Sequence, residues 1–580
     1  MTAAGGRAGV DTGGTFTDVV RDDGTIAKVL STPDDPAAAV AHGLAASGAA
    51  TAVLAHGTTV ATNALLERRG ARVALVTDPG FEDVIEIGRQ NRPSLYDQLA
   101  DRPSPLVDRG DRVAVGQPIP EDAGAVAVCL LHADVDPDPE RDVARRLGDA
   151  IDVTCSHQVS PEFREYERTV TTVANAYLRP TCRTYLRRLA PLADTVLVMT
   201  SAGGLVPLEE AVDRPVALLL SGPAGGVRAA AAAALAAGFP DAITFDMGGT
   251  STDVCLVVDG QPEPAAQRSV GGLPIRLPAL DIHTVGAGGG SIARLDPGGA
   301  LAVGPRSAGA DPGPACYGRG GTEATVTDAD LVLGRIPADA SFPELGALDV
   351  DAARAALDSA AVEAAGVVAV VDATMAEALR VVSVRRGVDP RRLALVAFGG
   401  AGPLHACALA EQLEMAAVVV PPRAGVLSAV GLLASPRQTD VVRSWPDPRS
   451  HDGLGHALTD LAQRAGAVHG EDATVETAVD CRYAGQSHEL TVRSVDDFAA
   501  EHERRNGYAR PGAPVEVVAL RATARSRPPV DVDDLPPVDQ RAPAVGPAVL
   551  AEADCTVWVP EGWHAEVGGG GAWILRRSRS

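Results

Sequence analysis

Short apolar runs broken by glycine, proline and aspartate open the chain. Residues 7–10 read as a strand entering a Gly-rich loop, and residues 16–20 resume an extended pattern. Asp23-Gly24 signals a hairpin turn, and residues 25–30 form the returning strand. The next apolar run predicts a strand to Ala55 and then a helix from about Val60 to Arg69. Thr58 or Thr59 serves as its N-cap and Gly70 as its stop. A strand follows at 72–77. Residues 92–122, rich in proline and aspartate, predict irregular surface structure, and 126–131 a buried strand. After a charged helix the segment ends near Ser156. A long helical pattern starts at Glu162, with a kink or break expected at Pro180. Residues 196–200 form a strand turned by Gly203-Gly204, and 221–226 open an Ala-rich helix.

The pattern then repeats. Residues 242–245 lead into a second Gly-rich loop, 254–258 continue as strand, and Asp259-Gly260 turns the chain. The two loops, "DTGGTFTDVV" from Asp11 and "DMGGTSTDVC" from Asp246, share Asp-x-Gly-Gly-Thr-x-Thr-Asp. Strand, loop, strand and turn recur together, so a whole supersecondary unit is duplicated and two related halves are expected. Residues 281–335 are rich in glycine and proline, 352–386 are helical, and 393–398 form a strand feeding Gly399-Gly400 and a helix near Pro403. The composition shifts after Ser435 and the tail alternates like β-structure. Three segments result: 1–156, 157–435 and 436–580.

Composition narrows the chemistry. A net charge of −24 argues against nucleic acid as a general partner. Lys28 is the only lysine, which excludes a Gly-Lys-Ser/Thr phosphate loop. It also argues against Schiff-base chemistry or a protein-kinase-type phosphate lysine. The eight cysteines are dispersed, so neither a disulfide framework nor a cysteine zinc site is expected, and a reduced, cytoplasmic location is. The N-terminus carries no signal-peptide pattern, and no apolar run is long enough to span a bilayer.

Consecutive glycines let backbone N–H groups approach an anion closely, and threonine hydroxyls add donors. Gly13, Gly14, Thr15 and Thr17, with Gly248, Gly249, Thr250 and Thr252, therefore read as phosphate-binding positions. Asp11, Asp18, Asp246 and Asp253 cannot bind phosphate directly, but can hold Mg²⁺ or orient water or an acceptor beside it. Both loops continue into strands, whereas a dinucleotide-binding loop opens a helix.

The paired loops resemble the two phosphate motifs of the actin, sugar-kinase and chaperone ATPase superfamily. That resemblance implies an α/β, duplicated actin/sugar-kinase-like ATPase fold with a nucleotide cleft between two halves, plus a β-rich C-terminal domain. It also implies an adenosine loop, which "VAFGGAGPLHA" fits through Gly399, Gly400 and Gly402. More narrowly, "HGTTVATNALLERRG", "GFEDVIEIGRQNRPSLYD", "YERTVTTVANAYL", "FDMGGTSTDV", "DIHTVGAGGGSIA", "SAGADPGPACYGRGG" and "TDADLVLGR" resemble the A-type subunit of the hydantoinase/oxoprolinase family. The resemblance implies a cytoplasmic, ATP- and Mg²⁺-using subunit that opens a cyclic amide such as a hydantoin or 5-oxoproline, paired with a B-type subunit. The main alternative among enzymes is the ATP-using subunit of an acetone-carboxylase-like carboxylase. A non-catalytic nucleotide-binding regulator is the reading from a different class. The chain is short for the family, compressed before "EYERT" and after Ser435.

Phosphorylating an amide oxygen makes a leaving group and activates the carbon toward water. Asp11 and Asp246, each ending a strand before its loop, are the Mg²⁺ candidates, and one of Asp18, Asp246 or Asp253 orients the acceptor. Asp18 and Asp253 equally suit hydrogen bonding of their own loops. His56, Thr58 and Thr59 lie at a strand end facing a helix N-terminus, which suits substrate or phosphate, though a packed histidine fits His56 as well. His283 lies in a Gly-rich loop and reads as a substrate or metal residue, with Asp281 and Asp328 as conceivable partners. Arg89 and Arg92 suit a carboxylate substrate or a solvated surface. Cys316 reads as a buried loop cysteine rather than a nucleophile, and His405 belongs to the helix beside the adenosine loop.

Overall fold

A computed structural model of the protein describes residues 6–578, apart from 33, 49, 95, 98, 343–345, 471, 539 and 540. The outer ends of the first and last expected segments, 1–5 and 579–580, lie outside these.

Strand Gly6–Thr12 pairs antiparallel with Phe16–Arg21, which pairs with Ile26–Leu30. On its other side it runs parallel to Thr51–Thr58, and that strand is parallel to Thr195–Met199. Leu205–Pro207 closes the edge. The second half repeats this order. Ala242–Met247 pairs antiparallel with Thr252–Val258, which pairs with Gln261–Pro262. On the other side come the parallel strands Ala394–Phe398 and Ala417–Val420. Covered on both faces, these inner parallel strands are entirely buried, which explains their unbroken apolar sequences. This is the duplicated actin/sugar-kinase-like arrangement, with an apolar core in each half. Helices Gly222–Ala236 and Leu427–Ala434 pack against each other between the sheets.

Several local expectations change. Helix Glu165–Leu189 runs through Pro180 without ending, because Leu178, Cys182, Leu186 and Leu189 on either side of it are buried in the first core. That packing outweighs the one backbone hydrogen bond proline forgoes. The strand ending at Ala55 extends to Thr58. The region expected to be irregular contains strand Arg112–Ala114, which joins a small parallel sheet with Val73–Thr77, Ala125–Val128 and Asp152–Cys155. The helical stretch from 352 resolves into Val350–Ser359 and Ala364–Val382.

Beyond Ser435 the chain does two things. Gln438–Ser444, Thr474–Tyr483, Leu490–Val492 and Val515–Arg525 form an antiparallel sheet with a core of its own. The last strands then return to the second half: Trp573–Arg577 pairs with Ala417–Val420, and Trp563–Val567 and Ala544–Val545 follow outward. On the way, hairpin Ala548–Ala551/Thr556–Val559 carries the loop 552–555. All eight cysteines are unpaired and buried. No helix among the described residues is long and apolar enough to cross a membrane.

Candidate active site

The two Gly-Gly-Thr loops line one cavity of about 250 Å³. Each is a tight turn at the end of a hairpin: Gly13 N donates to Phe16 O at 3.0 Å and Gly248 N to Ser251 O at 3.1 Å. Their tips meet. A Cβ added to Gly249 would stand 2.7 Å from Thr15 Oγ1, and one added to Gly14 would stand 3.6 Å from the Thr250 side chain. Each threonine thus lies over a glycine of the opposite loop.

Thr17 and Thr252 are buried behind the loops. Thr17 Oγ1 lies 3.0 Å from Ser31 Oγ, whose hydroxyl donates to Gly13 O at 2.8 Å, and Thr252 Oγ1 donates to Ala287 O at 2.6 Å. The second loop is braced further by Gly289 N donating to Gly248 O (2.9 Å) and Gly290 N to Gly249 O (2.7 Å). The "GAGGG" stretch therefore packs as backbone against backbone.

The register places Asp11 opposite Asp18 and Asp246 opposite Asp253, and all four line the cavity. Burial pushes the Asp11 carboxyl up to about 7, with repulsion from Asp18 adding and Lys28 opposing. Burial likewise raises Asp18 against the pull of Lys28, whose Nζ lies 2.6 Å from Asp18 Oδ1. Asp246 is held well above the usual carboxylate range by burial and by Asp253 and Asp11, opposed by the Ser428 hydroxyl at 3.4 Å. Asp253 rises to about 6 through burial, opposed by Thr284 Oγ1 donating at 2.5 Å.

The third loop adjoins the second hairpin. Ala401 N donates to Met247 O at 2.9 Å. Gly399 has φ +78°, and a Cβ there would stand 2.3 Å from Asp246 Oδ1, so only glycine fits beside that carboxylate. Gly400 lines the cavity, whereas Gly402 begins the helix Gly402–Gln412 behind it. Tyr317, Ile336 and Leu404 supply apolar lining, with Thr327 and Asp330 also on the wall. His405, on the same helix as Leu404, is buried between Asp372 Oδ1 (2.7 Å) and Asp330 Oδ2 (3.2 Å). Burial alone would lower this histidine; the two carboxylates overcome it and raise it to about 10.

Lys28, Asp330 and Asp554 are cavity residues that sequence reasoning missed. Asp554 reaches the cavity from the C-terminal hairpin and accepts a hydrogen bond from Gly425 N at 2.7 Å. Lys28 carried one signal, its uniqueness. Asp554 carried none.

Among the remaining sequence-derived candidates, Thr59 lines the cavity. Thr58 is buried beside it, its Oγ1 accepting from Val60 N at 3.2 Å. His56 is not brought to the cavity. Its Nδ1 lies 3.1 Å from Val10 O and its Nε2 2.7 Å from Tyr185 OH, and burial lowers it to about 4. Arg89 is likewise apart, paired with Glu167 at 2.9 and 2.5 Å, and Arg92 is exposed. His283 sits on strand His283–Val285, opposite Val254, and lines a separate apolar groove with Ala369 and Val370. Its conceivable partners are otherwise engaged: Asp281 pairs with Arg386, and Asp328 accepts from Thr325 N, Thr325 Oγ1 and Cys316 N. Cys316 is fully buried, and burial pushes its thiol up.

A profile of the hydantoinase/oxoprolinase family matches residues 168–440, and one of its N-terminal region matches 7–122. The caprolactamase alpha subunit of Pseudomonas jessenii is 33% identical over 679 aligned positions, covering 97% of this chain and 97% of its own. The crystal structure of the ATP-dependent caprolactamase from Pseudomonas jessenii superposes with a TM-score of 0.82 at 30% identity, covering 99% of this chain and 100% of that one. The nucleotide-free structure of acetone carboxylase superposes with a TM-score of 0.76 at 24% identity, covering 99% and 100%, a likeness of fold.

Proposed function

The chain belongs to the hydantoinase/oxoprolinase family, and we propose that it is the ATP-using subunit of an enzyme that opens a cyclic amide. The observation that carries this reading is the opposition of two Gly-Gly-Thr loops, each flanked by two carboxylates, across one cavity. Phosphate oxygens need donors from both walls. Gly13 N and Gly248 N are used inside their own turns, which leaves the N–H groups of Gly14, Thr15, Gly249 and Thr250 and the two threonine hydroxyls for the nucleotide. Tyr317, Ile336 and Leu404, near the Gly399–Gly400 loop, offer the apolar surface a purine base needs.

Burial raises all four aspartates, and neighbouring carboxylates add to the rise at Asp11 and Asp246; such a cluster, with one lysine among it, fits a divalent cation. Asp11 and Asp246 would hold Mg²⁺, directly or through water, and the ion when bound neutralises phosphate charge. Asp18 is occupied by Lys28 and Asp253 by Thr284. Of the three acceptor candidates, Asp246 has the weakest partner, a serine at 3.4 Å, so it would orient the acceptor while reaching Mg²⁺ through water.

In the proposed reaction the amide oxygen attacks the γ-phosphorus of ATP and ADP departs. Water adds to the activated carbon, the ring nitrogen leaves with a proton, and an acyl phosphate remains. A second water releases inorganic phosphate and the ring-opened acid. The loops exclude bulk water and fix the phosphate in line. The substrate is a small lactam or hydantoin, the related alpha subunit being that of a caprolactamase, and a B-type partner completes the enzyme.

The test is ATP hydrolysis by the chain, alone and with a co-expressed B-type subunit, in the presence of 5-oxoproline, hydantoin, caprolactam, or acetone plus bicarbonate. Stimulation by a cyclic amide, with ring-opened product matching ADP one to one, is expected. Stimulation only by acetone plus bicarbonate, or by nothing, overturns the reading.

A further inference from the structure

Lys28 is the single lysine of the sequence, every other strongly basic side chain being arginine. It stands on the edge strand Ile26–Leu30 of the first half. Among the described residues lining the phosphate cavity it is the only cation, since no arginine or histidine is on that wall. Its ammonium lies 2.6 Å from Asp18 Oδ1, 5.1 Å from the centre of the Phe16 ring and 3.4 Å from Gly425 O, with only 14% of the side chain exposed.

The choice of lysine has a physical consequence. A guanidinium would fork onto both oxygens of Asp18 and be held there. An ammonium makes a single-point contact with one oxygen, and its three rotatable donors leave capacity for a second anion. Asp18, in turn, is the cross-strand neighbour of Asp11 beside the first loop. The cation is therefore held at the cavity wall next to where that loop would meet phosphate.

Resting on the nucleotide reading above, we propose that Lys28 is the terminal-phosphate ligand of this site: Asp18 holds its ammonium at the cavity wall and shares it with the γ-phosphate of bound ATP. The bland alternative is a static ion pair that only supports the hairpin.

The two differ in nucleotide discrimination. Affinities of a β,γ-imido ATP analogue and of ADP, each with Mg²⁺, are measured by titration calorimetry for wild type, Lys28→Gln and Lys28→Arg, with thermal melts confirming folding. Loss of one charge-assisted contact to the terminal phosphate predicts that Lys28→Gln binds the analogue about tenfold or more weakly, while ADP changes less than about threefold. Lys28→Arg should fall between. Equal loss for both nucleotides, or no loss, overturns the proposal and leaves the nucleotide reading standing. Wild-type protein that binds neither nucleotide overturns both.

Should Lys28→Gln fail to fold, wild type still decides. An acyl-phosphate derivative of ATP transfers its acyl group to a neighbouring amine, forming an amide and releasing ATP. The one internal site available is Lys28. Labelling of Lys28 that the imido analogue blocks more strongly than ADP supports the proposal. No labelling at Lys28, or equal blocking by both, overturns it.

Discussion

Thr15 lies over Gly249: the hydroxyl of one phosphate loop stands 2.7 Å from where a Cβ on the other loop would be. The two halves of the molecule thus meet through a contact that only a hydrogen at Gly249 allows. A Gly249→Ala change must push Thr15 out of place, because real Cβ contacts do not come this close. ATP-analogue affinity should fall about tenfold, roughly the worth of one or two displaced donors, while the melting temperature stays within a few degrees. Calorimetry and thermal melts check both parts.

Asp246 is wedged against Gly399 and has no cationic partner among the described residues. Asp246→Asn keeps its size and removes its charge. Amide-stimulated ATP hydrolysis should drop on the order of a hundredfold or more, as for other groups that hold metal or acceptor. The melting temperature should stay level or rise, since a mutually repelling carboxylate is gone. Undiminished amide-stimulated turnover in steady-state assays would remove Asp246 from its assigned role.

Asp11, at about 7, and Asp253, at about 6, tie stability and cation binding to pH in opposite senses. Both are raised above their unfolded values, so the folded chain holds these protons more tightly. Their contribution to stability is greatest at low pH and is lost as pH rises through about 4 to 7. Without Mg²⁺, the melting temperature of wild type should fall over that window more steeply than that of Asp11→Asn. If Mg²⁺ binds here it needs the ionised carboxylates, so its binding at pH 6.5 should release protons. Titration calorimetry in two buffers of different ionisation enthalpy reads that release directly.

Glu162 joins distant parts of the chain. One carboxylate oxygen lies 2.8 Å from Arg276 and 2.9 Å from Arg521, the latter on the C-terminal sheet. Glu162→Ala leaves the buried Arg276 and the half-buried Arg521 with one carboxylate fewer, Arg276 keeping Glu489 and Arg521 keeping Asp480. A loss of about 3 kcal/mol is expected in urea unfolding, at the low end for breaking a buried pair because those partners remain.

The legible parts of this site share a property. The loops at Asp11–Asp18 and Asp246–Asp253 are made within one hairpin each, so residue type and spacing encode them without reference to the rest of the chain. His56 shows the limit of that logic. A histidine ending a strand before Gly-Thr-Thr reads the same whether it faces a substrate or a neighbouring strand. The parallel register that sets it opposite Val10, and the helix that brings Tyr185 to it, settle the matter. Loop character at His283 and charge at Arg89 say nothing of which cavity a side chain reaches.

By itself the sequence determined the duplication, the two acidic Gly loops, the third Gly loop and the family, because each is a local backbone requirement repeated in order along the chain. Only the tertiary structure decided what shares the cavity with them. Asp330 meets His405 across 75 residues, and Asp554 returns from the far end of the chain to Gly425. Such pairings follow from sheet order and chain return. No spacing in the sequence records them, since distance along the chain carries no information about proximity once the two halves have closed.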